Sequence, residues 1–129
     1  ANETGARFSP DGRWIAYMTD VSGRAPDDYQ IFLRTFPDSG RAWPVSVGSG
    51  ENPVWAPDGR TIYYQQGGWI MAVALQLTVD TPGIGEPRRL FQSNRLLLKG
   101  IAPDGKHLLM IDSGATKRTP RQLLVEVRG

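Results

Sequence analysis

The tightest constraint on this chain is a phrase that it spells three times: Phe8-Ser-Pro-Asp-Gly-Arg-Trp-Ile-Ala-Tyr17, Trp55-Ala-Pro-Asp-Gly-Arg-Thr-Ile-Tyr-Tyr64 and Ile101-Ala-Pro-Asp-Gly-Lys-His-Leu-Leu-Met110. The Pro-Asp-Gly triplets begin at Pro10, Pro57 and Pro103, so the repeat lengths are 47 and 46 residues. Each triplet has the chemistry of a tight reversal. Pro presets φ at the second turn position, Asp suits the third, and Gly accepts positive φ at the fourth. Flanked by apolar runs, such a triplet predicts a hairpin with a bulge. A strand-rich repeat of this length predicts a β-propeller or a related array.

Laid out on that period, the apolar runs sort into strands. The segments 13–18, 60–65 and 106–111 follow the corners and are rich in β-branched and aromatic residues. Their nearly continuous apolarity predicts burial on both faces, as for strands between stacked sheets. A further run follows each, at 29–36, 69–77 and 122–127, and weaker outer strands are expected at 42–47 and 88–92. Pro44 suits an outer strand, which need not donate every backbone hydrogen bond. Innermost strands are expected at 4–8, 52–55 and 95–101, ahead of each corner. The expectation is therefore an all-β fold, a β-propeller segment of three blades with eleven antiparallel strands, the last blade lacking its outer strand. The blades span about 1–48, 49–94 and 95–129. The Gly-rich stretch Gly83-Ile-Gly-Glu-Pro87 precedes no helical pattern and reads as a loop joining third and fourth strands rather than a phosphate cradle.

Three blades fall short of the roughly four to eight that close a ring. The chain thus reads as an arc, completed by a missing propeller half or by a second copy, since an open strand edge is an aggregation template. The connections between second and third strands are long in units one and three and nearly nil at Gly67-Gly68. Such variation at one repeating position marks a face on which binding surfaces develop.

Composition narrows the chemistry. Cysteine is absent, so neither disulfides nor thiolate metal sites are available. No stretch approaches the ~20 apolar residues of a membrane span, and the chain reads as a soluble piece whose targeting segments, if any, lie outside it. A net charge of +2 does not argue for nucleic acid. The charge is uneven: residues 1–79 carry six basic and eight acidic side chains, residues 80–129 nine and five. The cationic third, with Arg88, Arg89, Arg95, Lys99, Lys106, Lys117, Arg118, Arg121 and Arg128, reads as a solvated rim or as a hold for an anionic partner.

With the repeats in view, the sequence resembles the bacterial PD40 or WD40-like (TolB-like) propellers. The phrases Phe8-Ser-Pro-Asp-Gly-Arg-Trp-Ile-Ala-Tyr-Met18, Ser22-Gly-Arg24 and Ile31-Phe-Leu-Arg-Thr-Phe-Pro37 are similar to propellers at the C-terminal end of bacterial serine/threonine protein kinases. So are Asn52-Pro-Val-Trp-Ala-Pro-Asp-Gly59, Ile62-Tyr-Tyr64, Met71-Ala-Val73, Pro87-Arg-Arg-Leu-Phe91 and Ala102-Pro-Asp-Gly105. The resemblance implies a sensory or scaffolding module of a larger signalling or envelope protein, carried outside the membrane. It transfers no catalytic residue, because the matching positions are turn and packing residues.

Candidate chemistry is sparse. His107 is the single histidine, on a second strand where a packed or rim position is expected. No Gly-x-Ser-x-Gly elbow is present, and Gly48-Ser-Gly50 is a loop, so no catalytic residue is assigned. Without His or Cys clusters no metal site or cofactor is expected. Asp20, Asp27 and Asp28 offer carboxylates for a hard cation but read first as loop residues, and Asp11, Asp58 and Asp104 as turn formers. The aromatics Trp14, Trp43, Trp55, Trp69, Tyr17, Tyr63 and Tyr64 read as blade packing, with a stacking platform as the other use. The remaining candidates are Glu51, Asn52, Arg95 and Lys99, polar residues near the innermost strands that are expected to line one end of a central channel. The functional expectation is a noncatalytic recognition or scaffolding propeller for a protein partner or small ligand. The alternatives are the substrate-gating propeller of a prolyl-oligopeptidase-like hydrolase whose catalytic domain lies elsewhere, and a structural oligomerisation module.

Overall fold

A computed structural model of the chain describes residues 3–20, 29–37, 40–77, 81–93, 96–112 and 121–127. They form twelve strands and no helix: β1 (Glu3–Phe8), β2 (Trp14–Asp20), β3 (Tyr29–Thr35), β4 (Ala42–Pro44), β5 (Glu51–Trp55), β6 (Thr61–Gln66), β7 (Trp69–Leu77), β8 (Pro82–Ile84), β9 (Arg88–Gln92), β10 (Leu96–Ile101), β11 (His107–Asp112) and β12 (Arg121–Glu126). Three antiparallel sheets result, none closed on itself. The first runs β1-β2-β3-β4, the second β5-β6-β7 with β8 and β9 both on β7, and the third β10-β11-β12. This is a propeller-like arrangement of three blades, the third without an outer strand among the described residues.

The Pro-Asp-Gly corners build the hairpins as their chemistry demands. Gly12, Gly59 and Gly105 take φ of 75°, 73° and 71°, a region that favours residues without a β-carbon. Each donates its N–H to the carbonyl three residues back, on Ser9, Ala56 and Ala102, at 2.9 Å. In each corner the aspartate Oδ1 accepts the N–H two residues on, of Arg13 at 3.0 Å, Arg60 at 2.9 Å and Lys106 at 2.8 Å. That bond replaces a partner the backbone loses where the ladder ends.

The sheets stack like a fan. β5 lies between β1 and β10, and the Trp55 indole N–H donates to the Arg7 carbonyl at 2.9 Å. Alternation along the second sheet decides which neighbour each residue meets. Trp55, Ile62, Tyr64, Met71, Val73 and Leu75 pack with Trp14, Ala16, Ile31, Leu33 and Val45 of the first sheet. Their neighbours Val54, Ala56, Tyr63, Ile70 and Ala72 pack with Leu98, Leu108 and Met110 of the third. Two cores thus share one sheet, and β6 is buried on both faces.

Two expectations are corrected. Among the described residues the strands number twelve rather than eleven, because the stretch read as a loop, Gly83-Ile-Gly-Glu-Pro87, begins inside β8, which pairs Leu75, Gln76 and Leu77 with Ile84, Gly83 and Pro82. β7 is nine residues long, and its C-terminal end needs a partner for its backbone groups once β9 has covered Trp69–Ala72. Gly and Pro carry poor strand propensity, so composition hid β8. The outer strand expected over 42–47 is the shorter β4. Val45 and Ser46 leave its ladder, and both amides turn to the Ile31 carbonyl, at 2.8 and 3.4 Å. Beyond them Gly50 passes so close that a β-carbon there would stand 2.8 Å from Ile31 Cγ1.

Candidate functional site

Of the four channel-end candidates, Arg95 lies outside the described residues, as do Asp27, Asp28, Lys117, Arg118 and Arg128. Glu51 and Lys99 are exposed on β5 and β10, and Asn52 is half-buried beside Glu51. Asn52 has φ of 56° in a bulge between Glu51 and Val54, where the amide side chain tolerates the left-handed region. Its Nδ2 donates to Gln65 Oε1 at 2.8 Å. That same oxygen accepts the Leu98 N–H at 2.8 Å, while Gln65 Nε2 donates to the Leu96 carbonyl at 3.0 Å. Gln65 therefore imitates a strand backbone and stitches β6 to β10. Asn52 holds this stitch, which explains a polar pair between blades structurally.

The innermost strands are also tied across the fan. Arg7 Nη2 donates to the Lys99 carbonyl at 3.1 Å, linking the first sheet directly to the third. Neither Arg7 nor Gln65 stood out in the sequence, since a lone Arg and a lone Gln at strand ends carry no motif. The shared repeat position offers a signal in retrospect: Gln65 falls where Met18 and Ile111 stand in the other two units.

The corners make a second surface. A β-carbon on Gly59 would stand 3.7 Å from the Pro10 ring, and one on Gly105 3.4 Å from the Pro57 ring, so each glycine rests against the proline of the preceding corner. The three turns form one ladder on one side of the fan. Between its first two rungs lies a cleft of about 710 Å³, lined by Ser9, Pro10, Asp11, Asp58, Gly59, Arg60, Leu75, Gln76 and Leu77. This falls in the size range of small-ligand sites.

Electrostatics along the ladder follow from the turns. The Ser9 hydroxyl donates to Asp11 Oδ1 at 2.6 Å. That bond, and then the Arg13 amide, hold the Asp11 carboxyl below its ordinary value. Asp104 is likewise lowered, by the Lys106 amide and then by His107, whose Nδ1 stands 2.9 Å from Asp104 Oδ2. His107 thus sits half-exposed at the third corner. Tyr63 and Tyr64 are core residues, and burial pushes the Tyr64 phenol up to about 12. Trp43 and Trp69 are half-buried under the guanidinium groups of Arg41 and Arg89, at 5.1 and 4.6 Å from their rings. These rim stacks cover one face of each indole.

Among the described residues no three His, Cys, Asp or Glu side chains group to hold a metal ion, and no helix is long and apolar enough to cross a membrane. No family model and no curated protein sequence matches the chain.

Proposed function

We propose that the chain is a noncatalytic β-propeller recognition module of the PD40/WD40-like kind, the sensory or protein-interaction part of a larger bacterial signalling or envelope protein. The observation that carries this reading is the corner ladder. Three turns, each set against the proline of the preceding one at Pro10–Gly59 and Pro57–Gly105, form the ladder, and its first two rungs flank a cleft of about 710 Å³ whose walls are built by hydrogen-bonded turns. Preorganised walls lower the entropic cost of holding a partner. The channel end contributes less, because Asn52 is engaged with Gln65 and the Lys99 carbonyl with Arg7.

The test is selection of a random peptide library on the immobilised protein, followed by amide NMR mapping of the enriched sequences. The expected result is a consensus that shifts the amides of residues 11–12, 58–60 and 75–77. Selection that yields no consensus, or one that shifts only other amides, overturns the reading.

Self-association is a second reading, favoured by one observation. The face of the third sheet turned away from the second carries Leu97, Leu109, Ile111 and Leu124, with Leu97 38% and Leu124 63% exposed. A contiguous aliphatic stripe of this kind marks an interaction surface. Light scattering that gives the mass of a monomer at every concentration removes it.

A further inference from the structure

The cleft between the first two corners carries a more specific chemistry. Its walls are the tips of two hairpins, with Asp11 on one and Asp58 on the other, and its apolar part is Pro10, Leu75 and Leu77. In each carboxylate the turn bonds use Oδ1 alone: Asp11 Oδ1 accepts from Ser9 Oγ and the Arg13 amide, and Asp58 Oδ1 from the Arg60 amide. Among the described residues nothing bonds to either Oδ2, so two carboxylate oxygens stay available at a cleft both residues line. Turn bonding also keeps these side chains in place, so the negative charges are preorganised rather than recruited. Leu75 is buried and Leu77 half-buried at the end of β7, an apolar shelf suited to a methylene stem. Among the described residues Arg60 is the one cation in the lining, against two carboxylates.

Resting on the recognition reading above, we propose that this cleft binds the basic side chain of an extended peptide. The stem of a lysine or arginine lies along Pro10, Leu75 and Leu77, its charged head between Asp11 and Asp58. Arg60 meets a backbone carbonyl of the same peptide. Charge-assisted bonds to two carboxylates are roughly twice as strong as neutral ones, and this sets the preference for a cation. The volume exceeds the needs of one side chain and leaves room for the flanking backbone.

The test is a set of NMR titrations with N-acetyl amino acid methylamides. Lysine and arginine derivatives are expected to shift the amides of Asp11, Gly12, Asp58, Gly59 and Leu75–Leu77 saturably, and added salt to weaken them. The norleucine derivative, which keeps the stem and lacks the charge, and the glutamate derivative are expected to bind at least about tenfold more weakly. Asn keeps the acceptor oxygen that the turns need, so Asp11→Asn and Asp58→Asn, each made singly, preserve the corners. Each is expected to weaken the lysine derivative several-fold while the amide spectrum of the corners keeps its folded pattern; Asp11→Asn also lowers the thermal midpoint slightly, because it gives up the ionised form that the turn bonds favour. Equal binding of lysine and norleucine derivatives, or wild-type affinity in both variants, overturns the proposal. Library peptides that bind at the corners but lack basic residues overturn it while leaving the recognition reading standing. Failure of every peptide at the corners removes both.

Discussion

The second and third sheets begin from nearly the same phrase and end in different environments. β6 is buried at four consecutive positions, Ile62 to Gln65, whereas β11 alternates, with Leu108, Met110 and Asp112 buried and His107, Leu109 and Ile111 half-exposed. Each strand has an apolar centre, Ile62–Tyr64 in β6 and Leu108–Ile111 in β11, and the apolar run is if anything the longer in β11, so local sequence does not predict that β6 is the more buried. What separates them is the number of neighbours. Among the described residues the second sheet has one on each side, and its alternating residues feed two cores; the third packs against one, and its other face carries an aliphatic stripe. The lesson is that a continuous apolar run reports the capacity to be buried twice, and only stacking determines whether both faces use it.

The largest expected effect sharpens this contrast. Tyr64→Ala empties a fully buried site between the first and second sheets and is expected to cost about 3–5 kcal/mol. Leu124→Ala, on the open face of the third sheet, is expected to stay within about 0.5 kcal/mol. Urea denaturation of both variants checks the pair; similar losses would mean that the far face is covered in solution. Next comes Gln65→Ala, which strips the Leu98 amide and the Leu96 carbonyl of their side-chain partner. A loss of about 1–3 kcal/mol is expected, with hydrogen exchange quickened at Leu98 more than at Ile62. Uniform quickening would break the view that Gln65 stitches one junction.

Trp55→Phe removes the indole bond to the Arg7 carbonyl and should cost about 1 kcal/mol, concentrated at the junction of the first two sheets. An unchanged denaturation midpoint would show that apolar packing alone joins them. The smallest effect is electrostatic. Asp11 and Asp104 are held below the ordinary 3.8, so their ionised forms favour the folded corners. That contribution is present above the unfolded-state value, near pH 4, and disappears as pH falls through the lower folded values. Carboxyl carbon NMR should give midpoints below 3.8 for both; midpoints at or above it would mean that the turn bonds are absent in solution.

The corners were legible because all their determinants are local. Pro, Asp and Gly act within four residues, and the repeat exposes them three times. Innermost, middle and third strands were legible for the same reason, through runs bounded by these turns. β8 was not, since Pro82-Gly-Ile84 becomes a strand only because β7 overruns β9 and offers it a free edge. The site was less legible still. Asn52 was singled out for a channel end, but nothing around it announced its bond to Gln65, and the cleft walls were visible only as turn residues.

The amino-acid order by itself determined the all-β class, the three hairpins and their spacing, because turn chemistry and strand patterning are short-range. Tertiary structure alone decided which faces are covered, which polar side chains replace missing backbone partners, and that Asp11 and Asp58, 47 residues apart, border one cleft. Those outcomes depend on how one sheet lies against the next. Contacts between residues tens of positions apart leave no mark on the sequence around either.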